Sequence, residues 1–284
     1  MGINKVGVLG AGTMGAGIAQ VSAEAGLAVV LVDIDASIVE KAMKGIVKSW
    51  TKAVEKGKLD EAVMSQRVAL IQTKSDVSAF ADCDVVIEAI VENMDVKKKV
   101  FAQLDEICKP EAILSSNTSA LSITEIATAT RRADKVIGMH FFNPVPVMKL
   151  VEVIPGSEAT DAATEDIMEL CRKIGKEPVK AKEFPGFIVN RLLVPYLNEA
   201  AFAYQDGVAT VEEIDKAMRL GANMPIGPLA LCDMVGLDVL LSVCEYYWRE
   251  FGDSKYRPSL AFKQKVRAGH LGIKTGKGFY DYSK

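Results

Sequence analysis

The chain is expected to fold as an α/β protein: a doubly wound, mostly parallel sheet followed by a second, all-helical domain. Three observations carry that expectation. Short β-branched runs alternate with helix-favouring segments through the first part of the chain. A glycine-rich turn joins the first run to the first helical segment. Beyond "KEFPGF" (182–187) no convincing strand run follows.

The elements follow in order. "KVGVL" (5–9) is a short apolar run that meets Gly10, Gly12 and Gly15, and an alanine-rich segment then runs to Gly26. "LAVVLVD" (27–33) is a second strand-like run ending in acid. Strand, tight turn, helix and strand make one βαβ unit of about 30 residues. A longer-than-needed helical pair is expected over about 37–66. "DVVIEAIV" (84–91) has the continuous apolar character of a buried parallel strand. "VKKKVFAQLDEIC" (96–108) suits a helix closed by Pro110, "AILSS" (112–116) another strand, and "LSITEIATAT" (121–130) a helical tendency. "KVIGMHF" (135–141) and "KLVEVI" (149–154) are strands too close for a helical crossover. Pro185 and Gly186 mark a hinge, giving domains 1–185 and 186–284. In the second, Thr210 and Glu213 have capping-box spacing ahead of a helix ending at Gly221, and helical periodicity returns through 236–251 and 259–268.

The glycine spacing is GxGxxG in the context that gives it meaning. Gly10 permits the tight turn, Gly12 lets backbone approach a pyrophosphate, and Gly15 lets helix and strand pack closely. With Thr13 and Met14 they form the start of a helix, whose N-terminus favours negative charge. Asp33 closes the second strand, where its carboxylate can accept from a ribose hydroxyl. It repels a 2′-phosphate and has no Arg or Lys beside it in sequence, so NAD is expected over NADP. The first domain is therefore Rossmann-type.

Composition narrows the function. A formal net charge of -3 gives no global attraction to nucleic acid or anionic membrane, so neither partner is expected. No apolar run approaches a membrane span. Five scattered cysteines without a CxxC pair argue against a disulfide framework and against structural zinc; a reducing cytoplasm fits. The first strand begins at Lys5, so no leader peptide is expected.

"GMHFFNPVPVMKLVEV" (138–153) holds one of two histidines and places Glu152 among valines. Separately, each is ordinary. Together they can meet across the two strands flanking the proline-containing turn. A buried carboxylate that holds an imidazole fixes its tautomer and stabilises the imidazolium, which is a general-base device. Hydride removal from an alcohol carbon needs such a base, with the aromatics and prolines as a dry wall around it.

The blocks "GVLGAGTMGAGIAQ", "VIEAIVEN", "SSNTSALSI", "GMHFFNPVPVMKLVEVI", "PGFIVNRLLVPYLNEA" and "KTGKGFYDY" together resemble the 3-hydroxyacyl-CoA dehydrogenase family, in order and over nearly the whole chain. The likeness is greatest to stand-alone bacterial members for short chains, with no fused hydratase domain. It implies NAD-dependent, reversible oxidation of a short-chain (S)-3-hydroxyacyl-CoA of the 3-hydroxybutyryl type to the 3-ketoacyl-CoA. It implies His140 as the base, Glu152 as its partner, and Ser119 and Asn190 as donors to the substrate oxygen. Glu92, Lys97, Asn117, Ser119, Asn143 and Lys274 match cofactor-contacting positions. His270 matches no role and is expected at the surface.

Lys44, Lys48, Lys52 and Lys56 recur at helical spacing as one basic stripe. Such a stripe is usually a solvated face, but it can also attract the phosphates of coenzyme A, and the resemblance points to Ser49 and Lys56 as contacts. Two rivals remain: an NAD-dependent dehydrogenase of a free hydroxy acid or sugar acid, and a non-catalytic dinucleotide-binding protein. The apolar Ile188, Leu192, Leu193, Leu197 and Leu231 suggest a homodimer or larger homo-oligomer formed through the second domain.

Overall fold

Eight strands form one sheet in the computed structural model, which describes residues 2–283. They are β1 (Lys5–Leu9), β2 (Ala28–Val32), β3 (Ile71–Lys74), β4 (Val85–Glu88), β5 (Ile113–Ser116), β6 (Val136–Phe141), β7 (Leu150–Pro155) and β8 (Glu177–Lys180). The spatial order is β3-β2-β1-β4-β5-β6-β7-β8. Only the β6–β7 pair is antiparallel. The order reverses between β1 and β4, the crevice where doubly wound sheets bind ligands. The connecting helices are α1 (Thr13–Glu24), α2 (Ala36–Glu55), α3 (Glu61–Ala69), α4 (Met94–Ile107), α5 (Ile123–Ala127) and α6 (Asp161–Lys173).

Alternation along the strands splits the apolar residues between the two faces of the sheet. Val6, Val8, Val29, Leu31, Val85 and Ile87 belong to one core, with Trp50 of α2. Val30, Val32, Val86 and Leu114 belong to the other, with Phe80, Phe101 and Leu104. Gly7 belongs to the second face: a Cβ there would come within 2.6 Å of the Phe80 ring.

Three elements escape the sequence pattern. β3 has one buried residue and three exposed ones, so it carries no apolar signature. β8 contains Pro178 and lies at the sheet edge, where the missing N–H is tolerated. α6 has a polar composition overall and buries only one face. The strand expected to reach Val91 ends at Glu88, because the Ile90 N–H turns back to the Glu88 carboxylate at 2.7 Å and leaves Val91 exposed.

The chain divides between Phe187 and Ile188 into two compact units. The named elements of the second are helical: α7 (Val189–Gln205), α8 (Val211–Gly221), α9 (Pro228–Val235), α10 (Leu237–Phe251) and α11 (Leu260–Arg267), with short 3₁₀ turns. The Thr210–Glu213 capping box forms at α8. Its core gathers Val194, Leu197, Leu237, Leu240, Tyr247 and Phe262. Leu197 is thus a core residue and drops out of the expected contact surface, since it follows Val194 one turn along the buried side of α7. His270 is half-buried and not a plain surface residue.

Candidate active site

The glycine loop is built around three different constraints. Gly10 has φ +97° and donates its N–H to the Val32 carbonyl at 2.8 Å; a Cβ would come 2.5 Å from the Ala89 oxygen. At Gly15 a Cβ would lie 1.7 Å from the Gly10 oxygen, so helix and loop require its absence. At Gly12 a Cβ would meet no atom within 4 Å. Gly12 is also the N-cap of α1 and provides no side-chain cap, so the first amides of the helix, at Thr13 and Met14, are left for an anion. Here packing explains Gly10 and Gly15, whereas the openness at Gly12 has its reason in a ligand's approach.

Asp33 accepts from the Ala11 N–H at 2.8 Å and the Asp35 N–H at 3.1 Å. A carboxylate has about four acceptor positions, so two remain. Beside the loop runs a groove of about 460 Å³, lined by Gly12, Thr13, Gly17, Lys41, Asn143 and Pro144 among others. Open loop, uncapped helix and oriented carboxylate together fit a dinucleotide.

β6 and β7 place His140 directly opposite Glu152. The His140 Nδ1 lies 2.7 Å from Glu152 Oε2, with the histidine side chain 7% exposed and the glutamate side chain 0%. A buried carboxylate accepts, so Nδ1 donates and Nε2 is left as the acceptor. The ring stacks at a tilt on Phe142 at 4.5 Å and Phe187 at 5.6 Å between centroids. Phe187 has φ +49°, a left-handed conformation unusual for a phenylalanine, and it belongs to the core that holds Phe80 and Phe101. The expected wall is thus aromatic. Pro144 and Pro146 line the groove instead, and Val145 packs where a Gly17 Cβ would come within 2.7 Å.

The ends of β4 and β5 gather Glu92, Lys97, Asn117 and Ser119. Glu92 Oε1 accepts from the Ser119 N–H at 2.9 Å and the Thr118 hydroxyl at 2.6 Å. Asn117 Oδ1 accepts from the Phe141 N–H at 2.9 Å, tying the loop to the strand that carries His140. Lys97 is the buried member of this group. It is 1% exposed and its ammonium serves Glu88 at 2.7 Å, because an unpaired charge at that depth is costly. Asn143 is exposed and precedes Pro144 through a cis peptide.

The remaining expected residues stand on other elements. Ser49 is exposed on α2, Lys56 is its C-cap residue, and Lys44 pairs with Glu40. Asn190 is half-buried in the first turn of α7. Lys274 pairs with Asp238 at 2.6 Å within the second unit. The tail that carries it is pinned by buried Asp233, which accepts the N–H groups of Phe279 and Tyr280 at 2.8 Å each.

Sequence reasoning missed four residues that shape this site: Gly17, Glu88, Lys176 and Phe187. Glu88 had a signal, an acid closing an apolar run as Asp33 does. Lys176, buried, donates to the Val145 and Met148 carbonyls and so holds the turn after His140; burial lowers its pKa. Nothing local in sequence marks it. The cysteines lie outside this chemistry: all five are free and buried, and burial pushes the Cys83 and Cys171 thiols up to about 12.

Comparison with known proteins follows the same division. Residues 5–184 match the family described as 3-hydroxyacyl-CoA dehydrogenase, NAD binding domain, and residues 186–282 the 3-hydroxyacyl-CoA dehydrogenase, C-terminal domain. A 3-hydroxybutyryl-CoA dehydrogenase of Clostridioides difficile is 50% identical over 280 residues, covering 99% of this chain and 100% of that protein. The mitochondrial hydroxyacyl-coenzyme A dehydrogenase of Homo sapiens is 44% identical, covering 99% of this chain and 91% of its own. The crystal structure of (S)-3-hydroxybutyryl-CoA dehydrogenase from Ralstonia eutropha superposes with a TM-score of 0.97 at 48% identity, covering 100% of both chains.

Proposed function

Since the chain belongs to the 3-hydroxyacyl-CoA dehydrogenase family, we propose that it catalyses the reversible oxidation of (S)-3-hydroxybutyryl-CoA to acetoacetyl-CoA. It is an NAD-dependent oxidoreductase. The observation that carries the reading is the buried His140–Glu152 pair on the sheet whose switch point holds the open glycine loop. A pure binder of dinucleotides needs no such pair.

Bound NAD supplies the hydride acceptor. His140 Nε2 takes the hydroxyl proton as the carbon–oxygen bond gains double-bond character, and Glu152 stabilises the imidazolium that results. Phe142 and Phe187 keep water from the ring. Ser119 donates to the substrate oxygen, aided by its loop's anchorage on Glu92. Gly10, Gly12, Thr13, Met14, Gly15, Asp33, Glu92, Asn117 and Asn143 form the cofactor side. For Asn190, Lys274, Ser49 and Lys56 the roles rest on the family motif, and for Lys97 on that motif together with its pairing to Glu92.

Assembly as a homodimer or larger oligomer is supported by exposed Leu192, Leu220 and Trp248 in the second unit. A cytoplasmic setting in short-chain fatty-acid or butyrate metabolism accords with five unpaired cysteines and the CoA-ester substrate. Among the described residues no helix is long and apolar enough to cross a membrane.

The test is loss of nicotinamide absorbance with acetoacetyl-CoA, run with NADH and NADPH side by side. Fast turnover with NADH and little with NADPH supports both the reaction and Asp33 as its selector. Fast turnover with NADPH keeps the reaction and overturns the role of Asp33. No turnover with either cofactor moves the protein to a free hydroxy-acid substrate or to binding alone.

A further inference from the structure

We infer that Glu88 is a positioning residue for the reaction: through Lys97 and Glu92 on one side and Ser116 on the other, it fixes the loop that carries Ser119. The inference rests on the proposed role of Ser119 at the substrate oxygen.

Glu88 ends β4 and is 0% exposed. A carboxylate at that depth is tolerated only when its acceptors are filled. Here they are filled by Lys97 Nζ at 2.7 and 2.9 Å, the Ser116 hydroxyl at 2.7 Å and the Ile90 N–H at 2.7 Å. Two branches then leave this centre for the same loop. In the first, the Lys97 ammonium also lies 3.3 Å from Glu92 Oε2. The other Glu92 oxygen accepts from the Thr118 hydroxyl, the Ser119 N–H and, at 3.3 Å, the Ser119 hydroxyl. In the second, the Ser116 oxygen accepts from the Thr118 N–H at 3.2 Å while its own proton goes to Glu88.

A pair that only holds the fold has no need of this arrangement. Buried ion pairs contribute little net stability compared with apolar side chains of the same volume. Glu92, moreover, has a side chain 40% exposed, free to swing into water unless something draws it inward. Lys97 draws one oxygen in, and the other is thereby turned to Ser119. The Ser119 hydroxyl bond to Glu92 is long, so a substrate oxygen can take over that proton without breaking a strong contact. Glu88 in turn keeps Lys97 where it can reach Glu92.

The experiment is a double-mutant cycle on kcat/KM with acetoacetyl-CoA and NADH, using Glu88→Gln, Ser119→Ala and the two together. Each single change is expected to lower kcat/KM by about tenfold or more, and the double to fall within about twofold of Ser119→Ala alone. A second variant, Glu88→Leu with Lys97→Met, removes both buried charges together and guards against a failure to fold. Its melting temperature should approach that of the parent, which separates the effect of the buried pair on turnover from a loss of fold. Independent, multiplying effects in the cycle overturn the inference, as does recovery of turnover in the apolar pair. An unchanged kcat/KM in Ser119→Ala overturns it for a different reason, because the role of Ser119 itself then fails.

Discussion

His140 and Glu152 face each other across the antiparallel β6–β7 pair, and the ring Nδ1 meets the carboxylate at 2.7 Å. The geometry follows from register: two residues directly opposite on the same face have adjacent Cβ atoms. Replacing Glu152 by Gln preserves shape but offers an N–H donor where a carboxylate stood, which permits the wrong imidazole tautomer. Glu152→Gln is expected to lower kcat by about 10²–10⁴-fold. NADH affinity, followed by fluorescence titration, should hardly move. Near-parental turnover would remove Glu152 from the role of partner to the base.

Gly12 and Gly15 should separate binding from folding. The empty space at Gly12 means that Gly12→Ala leaves the melting temperature nearly unchanged and weakens NADH binding by tenfold or more, about 1.4 kcal/mol. Gly15→Ala drives a methyl into the Gly10 carbonyl and should lower stability and binding together. Thermal melts beside NADH titrations of both variants check this. A Gly12→Ala protein that binds NADH normally would show that the nucleotide approaches elsewhere.

Lys56, exposed at the end of α2, is expected to meet the nucleotide end of coenzyme A. Lys56→Ala should raise KM for acetoacetyl-CoA several-fold, an effect weakened by salt, and spare a short acyl analogue lacking the phosphates. Equal kinetics of parent and variant with both substrates would return the lysine stripe to a solvated surface.

Asp105 sets a limit on acid stability. Burial raises its pKa, but the Arg131 N–H at 3.0 Å and Arg132 Nε at 2.6 Å outweigh burial and hold it below the ordinary carboxylate value. A folded pKa below the unfolded one gives stability that is present above about pH 4 and lost as pH falls through the folded value. The parent's melting temperature should drop on that limb. Asp105→Asn should melt lower at neutral pH, by on the order of 3 kcal/mol of stability, with a flatter acid limb. Parallel acid limbs in the two proteins would assign the loss to other carboxylates.

Local sequence carries the βαβ start, the acid at Asp33, the helical second domain and the meeting of His140 with Glu152. Each of these is written in local periods: glycine spacing, strand alternation, and two strands too close in sequence to be joined by a crossover. Only the tertiary structure decided that Lys97 is buried on Glu88, that Phe187 and not a proline flanks the base, that Val145 fills the space Gly17 leaves, and that a lysine at 176 holds the turn. It also placed β3 and β8, whose residues carry no apolar signature because they lie at the two edges of the sheet. The physical reason is the range of the interaction. A turn or an amphipathic face is set by neighbours in the chain, whereas a buried charge is set by whichever distant group the packed fold brings within hydrogen-bond reach.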